Sequence, residues 1–132
     1  MSQASVSSAR AKTVLLAEDD DILRQAVRDA LEAQGYRVLE AQTGAQALTL
    51  AEAAPGSIDL LIADVGLPDI LGTVLAEQIV ARHPESRVLF MTGYGRHALR
   101  EHGERWVGHP VLEKPFLPSA LLRAVRELLG RE

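Results

Sequence analysis

Short apolar runs alternate with amphipathic stretches from Lys12 almost to the end of the chain. The first run, Val14 to Ala17, is too short for a helix and apolar at every position, the pattern of a strand covered on both faces. Ile22, Leu23, Ala26, Val27, Ala30 and Leu31 then recur at helical spacing, and Gly35 stands where a helix C-terminus favours glycine. Tyr36 to Ala41 reads as a strand whose Arg37 and Glu40 suggest a sheet edge. Thr43 is placed to cap a helix carrying Leu48 and Ala51, which Pro55-Gly56 ends. Ile58 and Leu60 to Ala63 form the most apolar strand, followed by a Gly/Pro loop and a helix with Val74, Leu75, Ile79 and Val80 that stops before Pro84. Val88 to Met91 is a fourth strand, Arg96 to Glu104 a weakly marked helix, and Val111-Leu112 a fifth strand. Pro118 opens the last helix, with Leu121, Leu122, Val125, Leu128 and Leu129 facing inward.

This is a strand-helix unit repeated five times, which implies an α/β fold with a parallel sheet and helices on both faces. Ligands in open sheets of this kind bind beyond the carboxyl ends of the strands. Those ends carry Glu18, Asp19, Asp20 and Asp21 after the first strand, Asp64 after the third, Thr92-Gly93 after the fourth and Lys114-Pro115 after the fifth. Carboxylates after the first strand would repel the nucleotide or flavin phosphate that a Gly-rich turn would welcome. They suit a hard divalent cation with oxygen ligands, here Mg²⁺. Ionised Glu18, Asp19 and Asp64 are balanced by one Mg²⁺ and Lys114, so a phosphoryl group could approach without net repulsion.

Composition narrows the classes. The chain has 132 residues and a net charge of −4, the size of one domain, and the acidic balance argues against direct nucleic-acid binding. Cysteine is absent, which removes disulfides and thiolate metal sites. No apolar run approaches the roughly 20 residues of a membrane span, and the N-terminus has no apolar signal core, so a cytoplasmic domain without membrane insertion is expected. Residues 1–11 are expected to form a disordered tail, with the folded domain at 12–130.

The stretches VLLAEDD, IADVGLPDILG, LFMTG and VLEKPF, in this order and each at the end of its own strand, resemble the receiver domain of two-component response regulators. The likeness covers about residues 12–130. It implies the flavodoxin-like, doubly wound (βα)5 fold with strand order 2-1-3-4-5. By the same resemblance Asp64 is the phosphoacceptor, Asp19 a direct Mg²⁺ ligand and Glu18 an acid acting mainly through metal-bound water. The Gly66 backbone carbonyl completes the metal shell, Thr92 hydrogen-bonds the phosphoryl group, and Lys114 pairs with another of its oxygens. The Lys114-Pro115 bond is expected to be cis. The implied partner is a histidine kinase or histidine phosphotransfer protein that donates from phosphohistidine. A monomer, or a weak phosphorylation-dependent dimer, is implied for the chain itself. The MTGYGR turn together with VLEKPF is similar to receivers attached to hybrid histidine kinases.

Three positions depart from the family pattern. Val111 stands where an aromatic residue commonly rotates with the threonine on activation. Gly66 and Tyr94 occupy positions that border the route of attacking water. The resulting expectation is a signalling switch whose only chemistry is its own phosphorylation and dephosphorylation, rather than a turnover enzyme. The alternative is a phosphorylation-independent protein-interaction module of the same fold. An aspartate-nucleophile phosphatase would want an acid two residues after Asp64, where Gly66 stands. The chain after Gly130 has no room for a DNA-binding output domain, so output is expected through protein contact or a separate domain. His83, His97, His102 and His109 lack zinc spacing and are expected at the surface. Trp106 is expected to be a packing residue, and Asp20 and Asp21 to serve a solvated helix N-terminus.

Overall fold

A computed structural model describes residues 11–54, 56–93 and 104–130. The strands are β1 (Thr13–Ala17), β2 (Arg37–Ala41), β3 (Leu60–Asp64), β4 (Arg87–Thr92) and β5 (Val111–Glu113). The helices among the described residues are α1 (Asp21–Ala33), α2 (Gly44–Ala53), α3 (Gly72–Arg82) and α4 (Pro118–Leu129). The strands form one parallel sheet in the order β2-β1-β3-β4-β5. The polar β2 lies at an edge, as its composition suggested. The tail expected at the N-terminus, apart from Ala11, and nearly all of the helix expected at 96–104 fall outside the described residues. A short 3-10 turn covers Glu104–Trp106.

Strand periodicity sorts the core into two layers. Leu15, Ala17, Leu61, Ala63, Val88 and Phe90 face α2 and α3, where they meet Ala47, Ala51, Leu75, Ala76 and Ile79. Val14, Leu16, Leu60, Ile62, Leu89 and Met91 face the other way, onto Val27 and Leu31 of α1 and Leu121 and Val125 of α4. Each fully buried Val, Leu, Ile, Phe or Met side chain among them contributes about 1.5–3 kcal/mol. The central strands are therefore apolar on both faces, which is why they lack the polar alternation of a half-exposed strand.

The helix ends follow local chemistry. The Asp20 carboxylate accepts from the amides of Ile22 and Leu23 and opens α1, and Gly35, at φ +93°, follows its close. Thr43 Oγ1 accepts from Gln46 N at the start of α2, while Gln46 Oε1 reaches back to the Gln42 amide. Pro118 occupies the first turn of α4. No helix among the described residues is long and apolar enough to cross a membrane.

Two expectations need correction. Ile22 belongs to the apolar repeat of α1 yet is 83% exposed. It lies five residues before the buried Val27, about 140° around the helix at 3.6 residues per turn, and so points off the packed face. Neither described histidine is a surface residue. His83 is half-buried, with Nε2 3.2 Å from the Ala51 carbonyl. His109 is half-buried with its ring edge-on to Trp106 and Phe90, at centroid distances of 4.8 and 5.9 Å. Burial lowers its pKa and so favours the neutral ring. His97 and His102 lie outside the described residues. Trp106 packs as expected, buried and edge-on to Phe90 at 5.3 Å.

Candidate functional site

The register of the sheet assembles one cluster from three strands. Ala17 is paired with Ala63 across β1 and β3, so Glu18 and Asp64 follow at the same level. Both continue the parity of Leu16 and Ile62 and emerge toward the same face. Thr92 is paired with Glu113 across β4 and β5, which places Lys114 one step beyond. The Lys114 amide donates to the Thr92 carbonyl at 2.8 Å and holds the two strand ends together. The Lys114-Pro115 peptide bond is cis.

Lys114 Nζ lies 2.8 Å from Glu18 Oε1 and 3.2 Å from Asp64 Oδ2, joining two carboxylates on different strands. Glu18 is fully buried, Asp64 nearly so, and Asp19 exposed; one oxygen from each lies within 4.8 Å of the others. Two unit charges at that separation repel by about 3.5 kcal/mol at an effective dielectric of about 20. Burial pushes the Glu18 carboxyl above its ordinary range, and its bonds to Lys114 and the Asp20 amide offset this only in part. Burial also opposes the charge on Lys114, but Glu18 and Asp64 outweigh it and hold the ammonium above the usual lysine value. Three ionised carboxylates and one ammonium would give a formal charge of −2 in a cluster of hard oxygen donors. That donor set fits a divalent cation such as Mg²⁺.

The loops around the cluster are pinned. Gly66 N donates to Asp64 Oδ1 at 3.2 Å, and Gly72 N to the Val65 carbonyl at 2.8 Å. A Cβ on Gly72 would lie 2.3 Å from the Asp64 carbonyl oxygen, so only glycine lets α3 start this close to β3. Asp69 accepts from the amides of Gly44 and Ala45 at 2.8 and 2.9 Å and ties the loop after β3 to the start of α2. These amides hold its carboxyl below the usual aspartate range. Sequence reasoning did not single out Asp69. Its only signal was a carboxylate in the Gly/Pro loop, with nothing to identify a partner 25 residues away.

Of the remaining positions named from sequence, Thr92 is buried at the end of β4 and Gly66 is exposed beside Asp64. Val111 is half-buried, paired with Phe90 and packed against the core layer that contains it. Asp20 caps α1, as expected of a helix N-terminus, while Asp21 pairs with Arg24 at 2.7 Å.

Comparison with known proteins agrees with this architecture. The response regulator receiver domain family matches residues 14–126. The chain is 33% identical, over 89% of its length, to the response regulator receiver protein CpdR of Brucella abortus, and covers 97% of that protein. It is also 33% identical, over 91% of its length, to the sensor kinase CckA of the same organism, but spans only 13% of that much longer chain. Among solved structures, the response regulator protein TrrA of Thermotoga maritima, in complex with Mg²⁺ and BeF, superposes with a TM-score of 0.76 at 26% identity, covering 89% of this chain and 99% of that one. The chain therefore belongs to the response regulator receiver domain family, the signalling switches of two-component systems.

Proposed function

We propose that this domain accepts a phosphoryl group onto Asp64 from the phosphohistidine of a histidine kinase or histidine phosphotransfer protein in the cytoplasm. The convergence of Glu18, Asp19, Asp64 and Lys114 at one sheet edge is the observation that carries this reading. A carboxylate oxygen of Asp64 attacks phosphorus, the phosphorus–nitrogen bond to the donor imidazole breaks, and an acyl phosphate forms. Lys114, already 3.2 Å from Asp64 Oδ2, pairs with a phosphoryl oxygen, and Thr92 donates its hydroxyl to another. Asp19, Asp64 and the Gly66 carbonyl would hold Mg²⁺, and Glu18 would act through water. The cation supplies positive charge against the phosphoryl oxygens.

The domain is a switch or relay and does not turn over a separate substrate. Val111 offers no large ring to move between a buried and an exposed position, and its β-branch leaves it few rotamers. The conformational change on phosphorylation is accordingly small and stays near Thr92.

Incubation with acetyl phosphate and Mg²⁺ should add the mass of one phosphate to the intact protein, and Asp64→Asn should abolish the addition. Undiminished phosphorylation of that variant would overturn the assignment.

A further inference from the structure

We infer that Arg24 is a positioning residue for the loop that presents Asp19, locking that loop to α1 and to the edge strand β2. The inference rests on the reading of Glu18, Asp19 and Asp64 as a Mg²⁺ site.

The Arg24 side chain is only 12% exposed. Its three guanidinium nitrogens reach three separate segments. Nη1 donates to the Glu18 carbonyl at 2.8 Å, Nη2 to Asp21 Oδ1 at 2.7 Å and Nε to Glu40 Oε1 at 3.2 Å. The Glu18 carbonyl belongs to the peptide that leads into Asp19, so its orientation sets the direction in which the Asp19 side chain leaves the backbone. On the other flank, the Asp20 amide donates to Glu18 Oε2 at 2.9 Å. The Asp19 carboxylate itself has no hydrogen bond or ion pair among the described residues. Asp19 is therefore aimed by its backbone alone, and Arg24 holds one of the two peptide groups that flank it. A planar fork of donors can span three acceptors; a lysine ammonium on a flexible stem cannot hold the same geometry.

A counter-charge role makes the opposite prediction. If Arg24 mattered to the site only as a nearby positive charge, removing it would tighten cation binding. If it positions the loop, removing it weakens binding. Arg28 supplies the control: it lies one turn later on α1, bonds the same glutamate through Glu40 Oε2 at 2.8 Å, and makes no bond to Glu18.

The test is an NMR titration of the metal-free protein with MgCl2, read at the backbone amides, for the wild type, Arg24→Gln, Arg24→Lys and Arg28→Gln. Thermal melts confirm that each is folded. Arg24→Gln and Arg24→Lys should each raise the Mg²⁺ Kd by about tenfold, the lower end for loss of an outer-shell partner. Arg28→Gln should leave it within about twofold. Without metal, amide exchange at Asp19 and Asp20 should accelerate in both Arg24 variants and not in Arg28→Gln. Unchanged or tighter Mg²⁺ binding in Arg24→Gln, with wild-type binding intact, overturns this inference and leaves the site reading standing. A wild-type chain that binds no Mg²⁺ overturns both. Loss of fold in both Arg24 variants would make the residue a general scaffold group and also overturn the assignment.

Discussion

The loops after β1 and β3 leave the same edge of the sheet and are held by opposite means. The β1 loop is fastened by side-chain hydrogen bonds to backbone groups: Glu18 accepts from the Asp20 amide, Asp20 caps α1, and Arg24 grips the Glu18 carbonyl. The β3 loop depends on close backbone approach, with Gly72 pressed against Asp64 and Val65. Asp69 adds a single strap to α2. The first loop should respond to changes of charge and hydrogen bonding, and the second to changes of volume.

The largest expected effect is steric. Gly72→Ala would put a methyl group 2.3 Å from the Asp64 carbonyl oxygen and 2.9 Å from Val65 Cα, and backbone atoms cannot swing aside. We expect a loss of about 3 kcal/mol in urea unfolding, at the upper end of ordinary overpacking. Gly66→Ala lies in the same loop with nothing within 4 Å of the added carbon. It should stay within about 0.5 kcal/mol of the wild type. Equal losses in the two variants would show that the loop resists any substitution, and the volume argument would fail.

The next effect belongs to the β1 loop. Asp20→Ala removes the acceptor for the Ile22 and Leu23 amides and should cost about 1 kcal/mol, whereas Asp20→Asn keeps an acceptor and should cost a few tenths. The same unfolding measurement decides. A loss in Asp20→Asn as large as in Asp20→Ala would mean that the cap acts through charge rather than hydrogen bonding.

The smallest effect is the pH dependence of the Asp69 strap. The Gly44 and Ala45 amides lower the folded-state pKa of Asp69 below its ordinary 3.8, so the unfolded chain binds the proton more readily. Its stabilisation is therefore present above pH 3.8 and is lost as the pH falls through the lowered folded value. Melting temperatures of the wild type and Asp69→Asn should differ near neutrality and converge in acid. A difference that persists to the lowest pH at which the protein is folded would place the effect in something other than ionisation.

Much of this molecule could be read from residue order. The apolar runs marked β1, β3 and β4 because a strand covered on both faces has no polar positions to interrupt it, while the mixed polarity of β2 marked it as an edge strand. The polar residues that follow the first, third, fourth and fifth runs then marked the sheet edge where Glu18, Asp64, Thr92 and Lys114 stand. In a parallel sheet of strand-helix units, the residues that end each strand arrive at one edge by topology, so a linear pattern suffices to collect them.

Other features required the folded chain. The apolar repeat in α1 did not distinguish Ile22, which faces solvent, from Val27, which faces the core, because helical periodicity specifies angles only relative to a packed face that tertiary contacts select. His109 is sheltered by Phe90 and Trp106, from β4 and from the turn before β5, and nothing adjacent to it in sequence announces that burial. Asp69 finds its amides 25 residues away, and Arg24 finds Glu40 at a separation of 16. Residue order put the carboxylates at the sheet edge, while the tertiary structure decided what aims them. Strand ends converge through backbone pairing common to the whole sheet, but a side chain's partner depends on which loops and helix ends happen to pack beside it.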